Sequence, residues 1–423
     1  MTTESADVRI RFVSALARAL ARCGEDADDL ERDLTDCAVR LGLDAQFFAT
    51  PTMVMASFGS DDHERTVRLR VSEGRIDLQA RSMMQEIVDG VKAGEKTAPQ
   101  ALAEINLIAA SPPRFAWWVR VLASGLGAAS FAIFLGGDWR TLLAALPVGL
   151  AVGMLVVVAA RYERLRSLME LLGGLVAAVV TLAVGHLFNH FSLPTVALAG
   201  VILLLPGLSI TIGVSELASR HLTSGTSRLA GAAVTLVNLG VGSFLGFALV
   251  DRLGLVPATG LIRSDQTTAA FVVAVAATGL ASLIFTNSRT RDWPIVFAGV
   301  IVALLGARFG AWLVGASLGV AIASLALGLS ANVYARLSHR PAALLLIPGL
   351  AVLVPGALGL RGVGEFLRTA SGGLNVLTSV VIIAAGLVVG LLMADAALPP
   401  HRAHGPLDPS PEQAEAAARG RLV

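Results

Sequence analysis

"ILLLPGLSI" spans residues 202–210 and "LLLIPGLAV" spans residues 344–352, and each sits inside a long apolar run. A proline inside a helix removes one backbone hydrogen bond and clashes with the preceding turn, at about 3 kcal/mol in water. In hydrocarbon the freed carbonyl cannot turn to water, so it must face protein or a wet cavity. Glycine beside it permits close approach or an unwound backbone. Two such interruptions at matching places predict a pair of broken helices around one central chamber.

The composition supports a membrane setting. Hydrophobic residues make up 55% of the 423, and mean hydropathy is +0.71. Ten apolar runs of span length can be drawn: 117–136, 141–160, 168–187, 194–213, 227–249, 268–286, 294–309, 311–333, 342–358 and 373–397. The turn between the seventh and eighth is placed in "GARFGAW". Residues 1–114 hold 14 Lys/Arg against 19 Asp/Glu, and residues 115–423 hold 19 against 12. An acidic front and a basic remainder predict a soluble domain followed by Arg-flanked spans. The opening "MTTESADVRIRFVSALARAL" lacks the apolar core of a secretory signal, so the front domain is expected in the cytosol. Arginines in short loops favour that side by nine to six. No basic patch with interleaved aromatics suggests nucleic acid.

In the front domain, Val13, Leu16, Leu20 and Cys23 keep helical spacing, as do Leu30, Leu34, Cys37, Ala38 and Leu41. Both cysteines are read as small buried hydrophobes. "AQFFAT", "TMVMASFG" and "RTVRLRV" read as strands, and Asp61-Asp62-His63-Glu64 as a solvated hairpin. Two more helices complete a small α+β unit. The expected divisions are 1–114, 115–250, 265–398 and a disordered tail, 399–423.

The spans contain a repeat. Ala123, Gly125, Leu126, Phe131, Asp138 and Trp139 meet Ala277, Gly279, Leu280, Phe285, Asp292 and Trp293 at an offset of 154 residues. The two Pro-Gly segments match at an offset of 142. Five spans per unit put the second unit into the membrane from the opposite side. The expected fold is therefore mainly α: a polytopic membrane protein of two five-helix inverted repeats behind an α+β domain. That architecture is common among secondary transporters working by alternating access.

Candidate site residues follow from the breaks. Pro206, Gly207, Pro348 and Gly349 form them. Ser209 and Thr211 can bind polar substrate groups or satisfy freed carbonyls. Asn238 can bind substrate or join two helices. Glu216 can carry a coupling proton or pair with Arg220 one turn away. Arg228 is a further coupling candidate. Asp138 and Asp292, each beside Trp, suggest interface anchoring first and proton work second. His186 and His190 are four apart but lie at a span edge without the Glu of HExxH, so they read as interfacial, and no metal site is expected. No cofactor is expected either. The chain lacks GxxxxGK[ST], paired mid-span aspartates and a GxSG serine, which argues against an ATP-driven pump or an intramembrane enzyme.

The order of segments resembles the threonine/serine exporter family. The resemblance is carried by "GLDAQFFATPTMVMASFG", "SPPRFAWWVRVLASGLGAASFAIFLGGDW", "LLLPGLSITIGVSELASRHLTSGTSRLAGA" and "LLLIPGLAVLVPGALGLRG", and covers roughly residues 8–397. It implies a ten-span, cell-membrane exporter of small hydroxy amino acids, with a cytoplasmic N-terminal domain and dependence on the proton motive force. Family members often carry Asp where this chain has Glu216, which keeps the charge but lengthens the arm. Some relatives are linked to dicarboxylate export; that alternative needs more cationic groups, with Arg308 the candidate here. A channel and a homo-oligomer both stay open. The expected partners are the amino-acid substrate, protons and the lipid bilayer.

Overall fold

The computed structural model describes residues 6–59, 65–71, 76–112, 114–187, 191–252, 267–338, 340–353, 360 and 370–399. Helix α1 (Ala6–Arg22) buries Phe12, Val13, Leu16 and Leu20 on one face, and α2 (Ala27–Arg40) buries Leu30, Leu34, Cys37 and Ala38. Asp26 starts α2 by accepting from the Asp29 N–H at 2.9 Å, which satisfies one of the orphan donors of the first turn. Strands β1 (Ala45–Thr50), β2 (Met53–Phe58) and β3 (Arg65–Arg70) pair antiparallel in that order, with Val54 opposite Leu69. Leu69 points into the core while Arg68 and Arg70 face out, as the alternation predicts. Helices α3 (Leu78–Lys92) and α4 (Ala98–Ala110) close a core built from Phe12 to Ile105. The Asp61–Glu64 hairpin, His190 and the tail beyond Pro399 lie outside the described residues.

Among the described residues, eight helices are long and apolar enough to cross a membrane. They are α5 (Trp117–Phe134), α6 (Trp139–Ala159), α8 (Met169–Leu187), α11 (Leu222–Arg252), α12 (Thr268–Phe285), α13 (Trp293–Val314), α14 (Ala316–Ser338) and α16 (Ala370–Ala397). A four-residue helix, α7 (Glu163–Arg166), joins α6 to α8. The expected fourth span is a bent pair, α9 (Leu193–Gly200) and α10 (Gly207–Ala218). The expected ninth span is described only as α15 (Ala343–Leu353). Its 11 residues reach about 16 Å at 1.5 Å per residue, half a hydrocarbon core.

Two expectations need correction here. First, "GARFGAW" is not a turn. Helix α13 runs through it to Val314, and the chain turns at Gly315, whose φ of 87° is in the left-handed region. Gly306 and Gly310 serve packing instead: a Cβ on Gly310 would come 2.7 Å from the Gly319 Cα on α14. Second, Pro348-Gly349 does not break its helix. α15 continues through both residues. Pro348 is the sixth residue of α15, past the first turn, so the helix runs through it with the Leu344 carbonyl left without its usual amide partner. Gly349 is spent on close packing, since a Cβ there would lie 2.8 Å from the Gly299 carbonyl oxygen of α13 and would overlap Leu327 of α14.

Small residues set the helix spacing elsewhere too. A Cβ on Gly242 of α11 would overlap the Leu171 carbonyl oxygen of α8, and one on Gly174 would overlap the Leu239 carbonyl oxygen. Helices approach this closely in lipid only where side chains are missing. Helix α5 packs on α12. The Phe134 and Phe271 rings are 5.8 Å apart, whereas Gly127 lies against Phe285. Residue numbers rise along one helix as they fall along the other, so the two run antiparallel.

The front domain sits on one end of the helices. The Leu78 N–H donates to the Thr286 carbonyl at 2.8 Å, and Asn287 Nδ2 donates to Asp77 Oδ2 at 2.6 Å. Arg289 and Arg291 both reach Glu86, at 3.1 and 3.2 Å. Leu78 also packs with Ala343, Leu344 and Ile347. A second foothold lies near the α10–α11 turn, where the Ala27 N–H donates to Glu216 Oε1 at 3.3 Å.

Candidate functional site

The break ahead of Pro206 builds the site. α9 ends at Gly200, a single 3-10 turn covers Ile202–Leu204, and Leu205 is extended at φ −68°, ψ 127°. A residue before proline is pushed out of the helical region by the ring, and Leu205 shows that shift. α10 then restarts at Gly207, and the two helical segments meet at 49°. No side chain caps the new N-terminus. Its first-turn N–H groups and the positive end of its dipole are therefore available to an anion.

Beside this break lies a cavity of about 790 Å³. Ile202 through Ser209 form one wall, Gly127, Ser130, Phe131 and Phe134 of α5 a second, and Thr278, Ser282 and Phe285 of α12 a third. Ile347, Ala351 and Val352 of α15 contribute. The lining ends on Asp77, Gln79, Ser111 and Arg114 of the front-domain side. The charged residues on it are Asp77, Arg114, Arg120 and Arg228.

Of the residues singled out from sequence, Pro206, Gly207, Ser209 and Arg228 reach this wall. Pro348 and Gly349 do not, because their face of α15 is taken by α13 and α14. Thr211 is buried off the wall, and its hydroxyl donates to the Gly207 carbonyl at 3.3 Å, the carbonyl-satisfying role. Asn238 is half-buried on α11, also off the wall. Glu216 pairs with Arg228 rather than Arg220: Arg228 Nη2 donates to Oε1 at 3.1 Å and Nε to Oε2 at 3.2 Å. Both side chains are nearly enclosed, at 2% and 8% exposure. Asp138 caps α6 through the Thr141 N–H at 2.9 Å. Asp292 is buried and pairs with Arg340 at 2.8 Å. Arg308 is exposed and lies over the Phe271 ring at 4.9 Å, away from the cavity, so it is not the cavity cation expected of it.

Sequence reasoning missed Arg120, Thr278 and Asn287 as lining residues. The signal for Arg120 was spacing: Arg120, Gly127, Phe131 and Phe134 recur at helical intervals on one face of α5. The cysteines behave as read. Burial pushes the Cys23 and Cys37 thiols up to about 12, so both stay protonated and unreactive at neutral pH.

An acidic cluster underlies the second foothold. Burial pushes the Glu25 carboxyl up to about 8, with Arg81 opposing at 3.0 Å and Asp33, Asp29 and Asp26 adding to the rise. Burial likewise raises Asp26, to about 7. A raised folded pKa means the folded domain holds protons that the unfolded chain releases. Its stabilising contribution is complete below the ordinary carboxylate pKa and is lost as pH rises to about 8. Thermal unfolding of the full chain in detergent at stepped pH should show the midpoint falling between pH 5 and 8. Glu25→Gln should flatten that fall; an equally steep slope in the variant would contradict it.

A helical membrane protein with a cavity beside an interrupted span has the build of a membrane transporter. Residues 11–250 match a threonine/serine exporter family model, and residues 268–397 match a second, described as "Threonine/Serine exporter, ThrE". The chain belongs to the threonine/serine exporter family. It is 26% identical over 379 residues to a protein of Schizosaccharomyces pombe, covering 86% of this chain and 49% of that one. Two proteins called pheromone-regulated membrane protein 10 are also similar. That of Debaryomyces hansenii is 26% identical over 377 residues, covering 85% of this chain and 37% of its own. That of Eremothecium gossypii is 27% identical over 379 residues, covering 85% and 50%. This chain thus spans half or less of these relatives' length. No solved structure matches.

Proposed function

We propose that the chain is a secondary transporter exporting threonine, serine or a similar small hydroxy amino acid across the cell membrane. The observation that carries the reading is the cavity walled by the interrupted fourth span. A zwitterion needs donors for its carboxylate, and the restarted α10 and the wall arginines offer them. The serine and threonine hydroxyls on the wall suit a hydroxylated cargo. Two five-helix halves of opposite insertion, 115–250 and 265–398, are part of the proposal. The antiparallel packing of α5 on α12 supports it, as does the 3.4 Å approach of Arg114, before α5, to Thr290, just past α12. The start of one half and the end of the other half's first helix thus share one side. We place the front domain in the cytosol, beside the arginine-bearing loop 289–291. Glu216 with Arg228 is the coupling candidate for protons.

A dicarboxylate cargo is the second reading. Three arginines against one aspartate on the cavity lining favour it, although Arg228 is balanced from behind by Glu216.

Purified full-length chain in liposomes under an imposed pH gradient tests the first reading. Threonine or serine should move and succinate should not. The reverse selectivity would install the second reading, and no flux of any of them would sink both. Pro206→Ala should straighten the fourth span and cut flux several-fold while the front domain stays folded by limited proteolysis. Undiminished flux would remove the break from the mechanism. Glu216→Gln should blunt the pH dependence of transport if Glu216 carries the proton; an unchanged profile would make it purely structural.

A further inference from the structure

We propose that Arg120 binds the carboxylate of the cargo at the front-domain end of the cavity. The inference deepens the transport reading and rests on it. Arg120 stands on the cavity wall, on the same face of α5 as Gly127, Phe131 and Phe134. The antiparallel packing of α5 on α12 fixes its level. Phe134 meets Phe271 and Gly127 meets Phe285, so Arg120, two turns nearer the start of α5, lies toward the Asn287 end of α12. Asp77, Gln79 and Asn287 line that end.

The three wall arginines differ in what they hold. Arg228 is engaged by both oxygens of Glu216. Arg114 donates to Gln79 at 3.1 Å and to Thr290 at 3.4 Å and stacks on Phe115. Arg120 makes no ion pair among the described residues, and its Nε is buried without a hydrogen-bond partner. Leaving a buried donor unsatisfied costs about 1–3 kcal/mol, more for a charged group, so this guanidinium on the cavity wall calls for an anionic partner, which a cargo carboxylate supplies. The guanidinium is a rigid fork whose geometry matches two carboxylate oxygens. A plain interfacial anchor would point to lipid. In this helix Trp117 and Trp118, 46% and 54% exposed, hold that position, while Arg120 turns inward. Deeper on the same cavity, Thr278 Oγ1 is also buried without a partner.

The test is counterflow of labelled threonine by the full chain in liposomes, comparing wild type, Arg120→Gln and Arg120→Lys. Arg120→Gln should raise KM roughly tenfold or more, the size of a lost charged hydrogen bond, with maximal rate changed far less. Arg120→Lys, which keeps the charge without the fork, should fall between. Competition by threoninol, which lacks the carboxylate, separates recognition from structure. Wild type should prefer threonine over threoninol strongly, and Arg120→Gln should lose most of that preference. If succinate proves to be the cargo, its KM should rise in the same way. A threonine KM and a threoninol discrimination both unchanged in Arg120→Gln would overturn the assignment and leave the transport reading standing. A wild type that moves neither threonine, serine nor succinate would overturn the transport reading itself, and this assignment with it.

Discussion

Arg228→Met is expected to lower the stability of the full chain by about 3–5 kcal/mol, the usual result of removing one partner from a buried ion pair. Arg228 and Glu216 are both nearly shut off from solvent and meet through two hydrogen bonds. Among the described residues, deleting the guanidinium leaves the carboxylate with the Ala27 N–H, at 3.3 Å, as its hydrogen-bond partner. The loss is greater than the pair's net worth, because most of it is the stranded charge. The double variant Glu216→Gln, Arg228→Met should therefore recover most of the stability lost by the single one. Glutamine keeps an acceptor for Ala27, so the foothold of the front domain should survive in the double variant. Thermal unfolding in detergent gives the stability, and protease cleavage at the α10–α11 turn reports the foothold. A single variant as stable as wild type, or a double variant no better than the single, would refute the account.

Gly242→Ala is the second large effect expected. The added methyl would overlap the Leu171 carbonyl oxygen, which belongs to a helix backbone and cannot swing aside like a side chain. Overpacking of this kind costs about 1–3 kcal/mol, and more where backbone must shift. α8 and α11 should separate, and the yield of folded protein should drop. The control lies on the same helix. A Cβ on Gly231 would meet nothing within 4 Å. Gly231→Ala should therefore be neutral or stabilising by up to about 1 kcal/mol, since alanine loses less freedom in a helix. Comparable damage at both positions would mean that helix spacing is not set by Gly242.

These residues show what was legible in the chain beforehand. The break at Pro206 could be read because proline acts on its own neighbours: it lacks an N–H and constrains Leu205, whatever surrounds them. The strands were readable from Val67, Leu69, Arg68 and Arg70 for the same local reason. Pro348-Gly349 carries the same letters, yet α15 passes through it. What differs is the surroundings: Gly349 packs closely on Gly299 and Leu327, and no dipeptide encodes such neighbours. The Glu216–Arg228 pair bridges two helices across 12 residues, so the nearer Arg220 drew the eye. Arg120 was legible as a charge but not as a cavity group, because apolar flanks look alike whether they meet lipid or a chamber. Arg308 failed in the opposite direction, an arginine inside an apolar run that turns outward onto an aromatic ring.

The front domain grips the helices at two separate places, Ala27 on Glu216 of α10 and Leu78 on Thr286 at the end of α12. The Leu78 link joins main chain to main chain, so only proline at position 78 could delete its donor. If the two halves rock against each other, as the proposed transport requires, a rigid body clasped to both cannot keep both grips through a full stroke. The Ala27–Glu216 contact is the longer of the two and depends on a side chain, which makes it the grip that lets go.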